Sequence, residues 1–335
     1  MNGVRTVVEM KRPRRLYKYR SFNGRTLTML ARDDVYFADP TTFNDPLDTQ
    51  PELSTDVDND ALGSILTRLI EQRISAERYA AAKAIDPGSP ETSTIITQYS
   101  RRAAEQSVAD LRNHPMHQKL PNGAHEQLSL KRGIRQELLR RYDRGVFSLA
   151  ERANCPLMWS HYGDEHRGLC MGYSIPDGRT VAVHKIQYGA SRLVRASAVA
   201  RMLDGDDVSR REVDDAVLLS KAKPWRYERE WRLIGQRGER CSPLELQEVV
   251  FGMRCSDVVK YAVTKTLEVW HTGLQFHEIY SSSDNFILRK RALDLNKMLI
   301  TIPAETDRSQ TSLTSKPRTG PTRKRRLPAE RPNTP

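Results

Sequence analysis

The sequence predicts an α+β fold: a mixed, mainly antiparallel β core carrying a helical insert and ending in a disordered basic C-terminal tail. Three observations predict it. Short segments with alternating apolar residues open the chain and return in its second half, the stretch 56–142 between them has a polar-helical pattern, and residues from about 304 offer almost nothing to bury. Strands and helices segregated in this way fit α+β better than a doubly wound parallel sheet, which needs them to alternate. With 335 residues the chain can bury a core without disulfide or metal staples. Its expected organisation is a basic arm over 1–14, one domain over 15–300 and a tail over 304–335.

Leu16 and Lys18 alternate with Tyr17 and Tyr19, which makes 16–20 a strand, and Leu27, Met29 and Leu30 suit a short helix over 23–32. A second short strand over 35–38 leads into 39–48, where two prolines, three Asp and Asn44 require a structured loop. The insert divides into helices at the Pro/Gly-containing breaks 87–90 and 115–123. Strands follow over 145–149, 168–174 and 181–187, then a helical pair around 192–222. The last expected elements are strands over 230–234 and 246–251, a helix over 256–267 capped by Ser256, and strands near 275–280 and 286–288.

The net charge is +12, and its distribution matters more than its size. Residues 1–20 hold seven Lys/Arg against Glu9, and 304–335 hold eight against three acids, so the body over 21–303 carries only +1. A basic DNA-binding fold is therefore not indicated, and weak, non-specific polyanion contact is assigned to the tail, where Arg323–Arg326 lie among prolines. No apolar run approaches the ~20 residues of a membrane span or forms a secretory leader, so no membrane partner is expected and the expected localisation is cytoplasmic. Cys155, Cys170, Cys241 and Cys255 are scattered without a C-x-x-C pair and read as reduced thiols.

Phosphate loops, dinucleotide fingerprints, nucleophile elbows and H-E-x-x-H are absent. Three unusual clusters remain. The first joins Tyr17-Lys18-Tyr19-Arg20 to Phe43-Asn44-Asp45-Pro46-Leu47-Asp48; the second is Leu157-Met158-Trp159-Ser160-His161-Tyr162, leading to Arg167-Gly168; the third is Tyr227-Glu228-Arg229-Glu230-Trp231-Arg232-Leu233-Ile234. On a strand, Glu228, Glu230 and Arg232 would share a face, with Trp231 and Leu233 turned to the core. Two adjacent carboxylates suit ribose binding, cation stabilisation or base catalysis, and the plain alternative is a solvent-facing charge ladder satisfied by Arg226 and Arg232. Trp159, Ser160, His161 and Tyr162 suit a wall that orients a polar aromatic ligand. His161 and His166 are off the i,i+4 spacing of paired helical ligands, and Asx turns around Pro46 account for Asn44, Asp45 and Asp48, so no metal is assigned.

Taken in this order, the clusters resemble the signature blocks of the bacterial domain of unknown function 2971 family over roughly 15–255, a label that carries no activity. A more distant resemblance is to ADP-ribosyltransferase folds, which implies NAD or another nucleotide as substrate. In that likeness Arg20 would hold the phosphates, Ser160 or Tyr162 the nicotinamide ribose, and Glu230 its 2′-hydroxyl and the cationic transition state, while Glu228 would orient the acceptor. The binding set expected on this basis is Tyr19, Arg20, Asn44, Asp45, Trp159, Ser160 and Tyr162, and the catalytic set Glu230, Glu228 and His161. Two rivals stand beside it. One is a metal-dependent phosphodiesterase or nuclease using Asp45, Asp48, His161 and Glu230, against which counts the lack of an evident lysine beside the glutamate pair. The other is a non-enzymatic ligand-sensing or interaction module in a phage-defence or toxin system.

Overall fold

A computed structural model describes residues 13–83, 89–113 and 124–297. The tail over 304–335 and most of the basic arm lie outside them. The residues through Asp294 form one compact unit.

The chain begins with β1 (Leu16–Arg20), α1 (Gly24–Arg32), β2 (Asp34–Phe37) and β3 (Glu52–Ser54). Asn23 caps α1 by accepting from the Thr26 N–H, and Asp33 stops it in a left-handed conformation. The insert forms α2 (Asn59–Ala82), α3 (Pro90–Arg112) and α4 (Ala124–Arg141). Apolar side chains at helical spacing, Leu62, Leu66 and Leu69 on α2 and Leu130, Ile134 and Leu138 on α4, meet in a single buried cluster. Gly133 lets the two helices approach, because a Cβ there would lie 2.8 Å from a Leu66 methyl.

After the insert come β4 (Gly145–Ala150), α5 (Pro156–His161) and β5 (Leu169–Ser174). The expected strand over 181–187 is broken into β6 (His184–Lys185) and β7 (Gln187–Tyr188). The expected helical pair is framed by β8 (Leu193–Arg195) and β9 (Ser220–Lys221), with α6 (Ala196–Leu203) and α7 (Asp207–Asp214) between them. The remaining elements are β10 (Glu230–Gly235), β11 (Gly238–Cys241), β12 (Glu245–Phe251), α8 (Asp257–Trp270), β13 (Gln275–Ser281) and β14 (Leu288–Ala292). Ser256 caps α8 as expected, and the final strand starts two residues later than the apolar pattern suggests.

Eight strands form the main sheet in the order β14-β13-β12-β5-β1-β4-β10-β6, every neighbouring pair antiparallel except β12 and β13, which α8 links in parallel. The fold is α+β with a mixed, mainly antiparallel sheet. Register then decides the faces. Tyr17 and Glu230 both oppose Ala150, so Tyr17, Tyr19, Ser148, Glu230 and Arg232 share one face. The other face carries Leu16, Phe147, Leu149, Met171, Trp231 and Leu233 in a core shared with Leu30 of α1 and Val263 of α8. Trp231 and Leu233 thus occupy the core as expected. Among the described residues no helix is long and apolar enough to cross a membrane, and the four cysteines are free thiols.

Candidate functional site

A cavity of about 340 Å³ opens on the sheet face that carries Glu230. Its walls include Tyr17, Tyr19, Phe43, Met158 and Tyr162, and its floor holds Asp48, Lys221, Glu228 and Glu230. All four floor residues are buried.

Local conformation places the two glutamates differently from the expected strand. Glu228 ends a 3-10 turn over Lys223–Glu228, Arg229 takes a left-handed φ of 46°, and the strand begins only at Glu230. A non-glycine residue in that region costs about 1 kcal/mol or more, and here it swings the chain from turn to strand. Both carboxylates meet one cation. The Lys221 ammonium donates to Glu228 Oε2 at 2.6 Å and Glu230 Oε2 at 3.0 Å, and lies 3.3 Å from Asp48 Oδ2. Arg232, fully buried, donates through Nε to Glu230 Oε1 at 2.7 Å, through Nη2 to both Asp48 oxygens at 2.9 and 2.7 Å, and through Nη1 to the Leu218 carbonyl.

In place of a solvent-facing ladder, the plain alternative for this pair, stands a buried network. Its reason is desolvation: a buried carboxylate must be paired and hydrogen-bonded, and Arg232 and Lys221 do both. The two glutamates differ in consequence. Burial alone would raise Glu230, but Arg232 and Lys221 outweigh it and hold its carboxyl at about 2. Glu228 is raised above the ordinary glutamate range, by burial first and by the Glu230 charge, against the opposing pull of Lys221. Its second oxygen, Oε1, accepts from the Tyr162 hydroxyl at 2.7 Å, and Asn44 donates to that hydroxyl at 3.0 Å. Burial and the Glu228 charge raise the Tyr162 phenol, which keeps it a proton donor.

Strand order brings Tyr19 and Glu230 to one cavity, where Asn44 from the loop after β2, Tyr162 from the cap of α5 and Glu228 from the 3-10 turn join them. Arg20 is not with them. It alternates to the opposite face of β1, where Nη1 meets Met29 Sδ among Phe147, Met171 and Tyr173. Trp159 is a core residue, completely buried, donating Nε1 to the Ala153 carbonyl and standing edge-on to Tyr19 at 5.1 Å. Ser160 and His161 are exposed and lie outside the cavity lining, because the 100° turn of α5 rotates them away while Tyr162 at its cap returns. Asp45 accepts from the Trp225 indole at 2.7 Å and from the Leu47 N–H, an Asx turn that locks the loop. The Arg167-Gly168 pair is structural: it comes after three left-handed residues, Asp164, Glu165 and His166, and a Cβ on Gly168 would lie 2.2 Å from the Arg20 carbonyl.

Lys221 is the residue that sequence reasoning missed, and it corrects the expectation that no lysine sits beside the glutamate pair. It lies in a segment whose pattern suggests helix; parallel pairing of β9 with β7 turns it inward instead. Lys18 lines the cavity too, where β1 and β4 are joined at only one register pair, and its ammonium donates to the Ser148 carbonyl at 3.0 Å. Burial, then the Arg20 charge, lower it to about 8.

Among the described residues no group of three His, Cys, Asp or Glu is disposed to hold a metal ion. Asp48 and Glu230 converge, but on Arg232 and Lys221. Comparison with protein-family models, curated proteins and solved structures gives no match for this chain.

Proposed function

We propose that this cavity is the active site of an enzyme acting on a nucleotide such as NAD, and that Glu228 is its working carboxylate. The observation that carries the reading is the charge balance of the floor. Three carboxylates, Asp48, Glu228 and Glu230, face two cations, Lys221 and Arg232. Arg232 pairs with Asp48 and Glu230 but not with Glu228, which keeps Lys221 alone as its cation and turns Oε1 to the Tyr162 hydroxyl on the cavity wall. A carboxylate facing a low-dielectric pocket stabilises positive charge developing in a bound substrate.

Glycosidic cleavage of NAD develops such a charge. The C–N bond to nicotinamide breaks, nicotinamide leaves neutral with the electron pair, and the ribosyl cation is captured by an acceptor hydroxyl whose proton passes to Glu228. Tyr17, Tyr19 and Phe43 offer flat walls to the leaving ring, and Tyr162 and Asn44 offer hydrogen bonds to the ribose. In this scheme Glu230 is a positioning residue, and the joint contribution of the Tyr17–Arg20, Phe43–Asp48 and Met158–Tyr162 blocks to one pocket supports treating them as a unit. The test is nicotinamide release from NAD with and without acceptor hydroxyls. Wild type should turn over, and Glu228→Gln should lose ~10²-fold or more in kcat while folding as before.

A second reading, a ligand-sensing module, is favoured by one feature: both Glu228 oxygens already hold a donor, Lys221 on one and Tyr162 on the other. Ligand-dependent stabilisation without any turnover would select it.

A further inference from the structure

We propose that the outer side of the turn carrying Glu228 is a binding groove for single-stranded nucleic acid. The turn over Lys223–Glu228 has two sides. Glu228 faces the cavity, while Lys223, Arg226 and Tyr227 line a separate groove of about 940 Å³, bounded on its far side by Phe286. Arg152, Lys185 and Arg229 complete its basic rim.

Its charge is the reverse of the cavity's. Five cations face one acid, Glu151, and that carboxylate is consumed by Lys185 at 3.0 Å, Arg229 at 3.5 Å and the Trp231 indole at 3.0 Å. Arg152, Lys223 and Arg226 form no ion pair among the described residues. Unpaired cations crowded into one concavity repel one another, and anions spaced along a chain relieve that. The body as a whole carries only +1, so this concentration is local.

The aromatic content names the anion. Phe286 is 98% exposed, and Tyr227 stands half-buried in the same groove. A phenyl ring held in water beside cations is satisfied by a flat partner, and nucleobases stack on such rings at about 1–3 kcal/mol each. In a duplex the base faces are stacked on one another and closed to a ring, whereas a single strand offers both its phosphates and its base faces. An acidic peptide would supply the charges and leave the rings bare. The groove uses residues that the cavity chemistry does not, so it stands or falls independently of NAD.

The experiment is fluorescence anisotropy of the full-length chain with a labelled twelve-nucleotide oligo(dT), against a duplex of equal length, over a salt series. The basic arm and tail attract any polyanion, so the informative variant is the uncharged one. Phe286→Ala should weaken oligo(dT) binding about fivefold or more, leave duplex binding unchanged and leave the salt slope unchanged. Lys223→Glu/Arg226→Glu should weaken binding at least tenfold and make the log–log salt slope shallower by about 1.4, at ~0.7 per lost phosphate contact. Melting curves should match wild type, since all three side chains are at the surface. Wild-type affinity in both variants would place all binding in the arm and tail and overturn the proposal. A loss in Phe286→Ala that is as large for the duplex as for oligo(dT) would overturn it as well.

Discussion

Two buried carboxylate clusters lie on the same sheet and Tyr17 belongs to both, yet they are built to opposite ends. Tyr17 lines the cavity over Glu228 and Glu230, and its hydroxyl donates at 2.9 Å to Glu248 on β12. Gly172 of β5 makes that reach possible, because a Cβ there would press on both Glu248 and the Tyr17 ring. Glu248 is completely buried and receives Arg15 at 2.7 Å and Lys290 at 2.5 Å, with His277 at 3.0 Å. One carboxylate thus meets more positive charge than it carries, and its donors are drawn from the first strand's approach and the last two strands. Burial would raise Glu248, but Lys290, Arg15 and Tyr17 hold it below the ordinary range. At Glu228 the balance is reversed and the carboxyl is pushed up. Burial of charge alone is therefore no mark of a working site. On the function proposed above, the sign of the imbalance, and whether it faces a space, is what separates a pin from a tool.

The comparison is broken most severely at Arg232. Arg232→Met keeps the volume but leaves Glu230 and Asp48 with Lys221 alone, and removing one partner of a buried ion network costs about 3–5 kcal/mol. Urea unfolding should show that loss, and a cost under ~1 kcal/mol would mean that the floor relaxes or admits water. Glu248→Gln should cost less, ~2 kcal/mol, because Arg15 and Lys290 are each about 30% exposed and can turn to solvent once released. The same denaturation curves rank the two, and a larger cost at Glu248 would invert the assignment of pin and floor.

How far the sequence discloses these differences depends on geometry at single residues. Alternation along Tyr17-Lys18-Tyr19-Arg20 already implies that Tyr19 and Arg20 face opposite sides, and the register with β4 only decides which side holds the site. The network is less accessible. Glu228 and Glu230 look like a strand pair, and nothing in the local pattern announces that Arg229 turns left-handed between them. Lys221 is drawn in by pairing with β7, a contact across more than thirty residues. The Trp159-Ser160-His161-Tyr162 block names one wall residue correctly, but a helix distributes four consecutive side chains around its axis, so the cluster disperses into core, solvent and cavity. Glu248 carries no signal at all, since its four partners come from both ends of the chain.

The smallest effect is also the sharpest, because it differs in sign between the two clusters. Glu248 has a depressed folded-state pKa, so its stabilising contribution is present above the ordinary glutamate value and is lost as pH falls through the folded one. Glu228 is raised, so its contribution is present below the ordinary value and is lost as pH rises through the folded one. Below the ordinary glutamate value Glu248→Gln should therefore fall behind wild type as pH increases, and from that value upward Glu228→Gln should gain on it, both read from urea unfolding at each pH. Tyr162→Phe supplies the control. It removes a hydrogen bond that favours the ionised Glu228, so it should raise that carboxyl further and steepen the wild-type loss toward neutral pH. Parallel pH profiles for Glu228→Gln and Glu248→Gln would show that the two carboxylates share one electrostatic environment, and the distinction between pin and tool would fail.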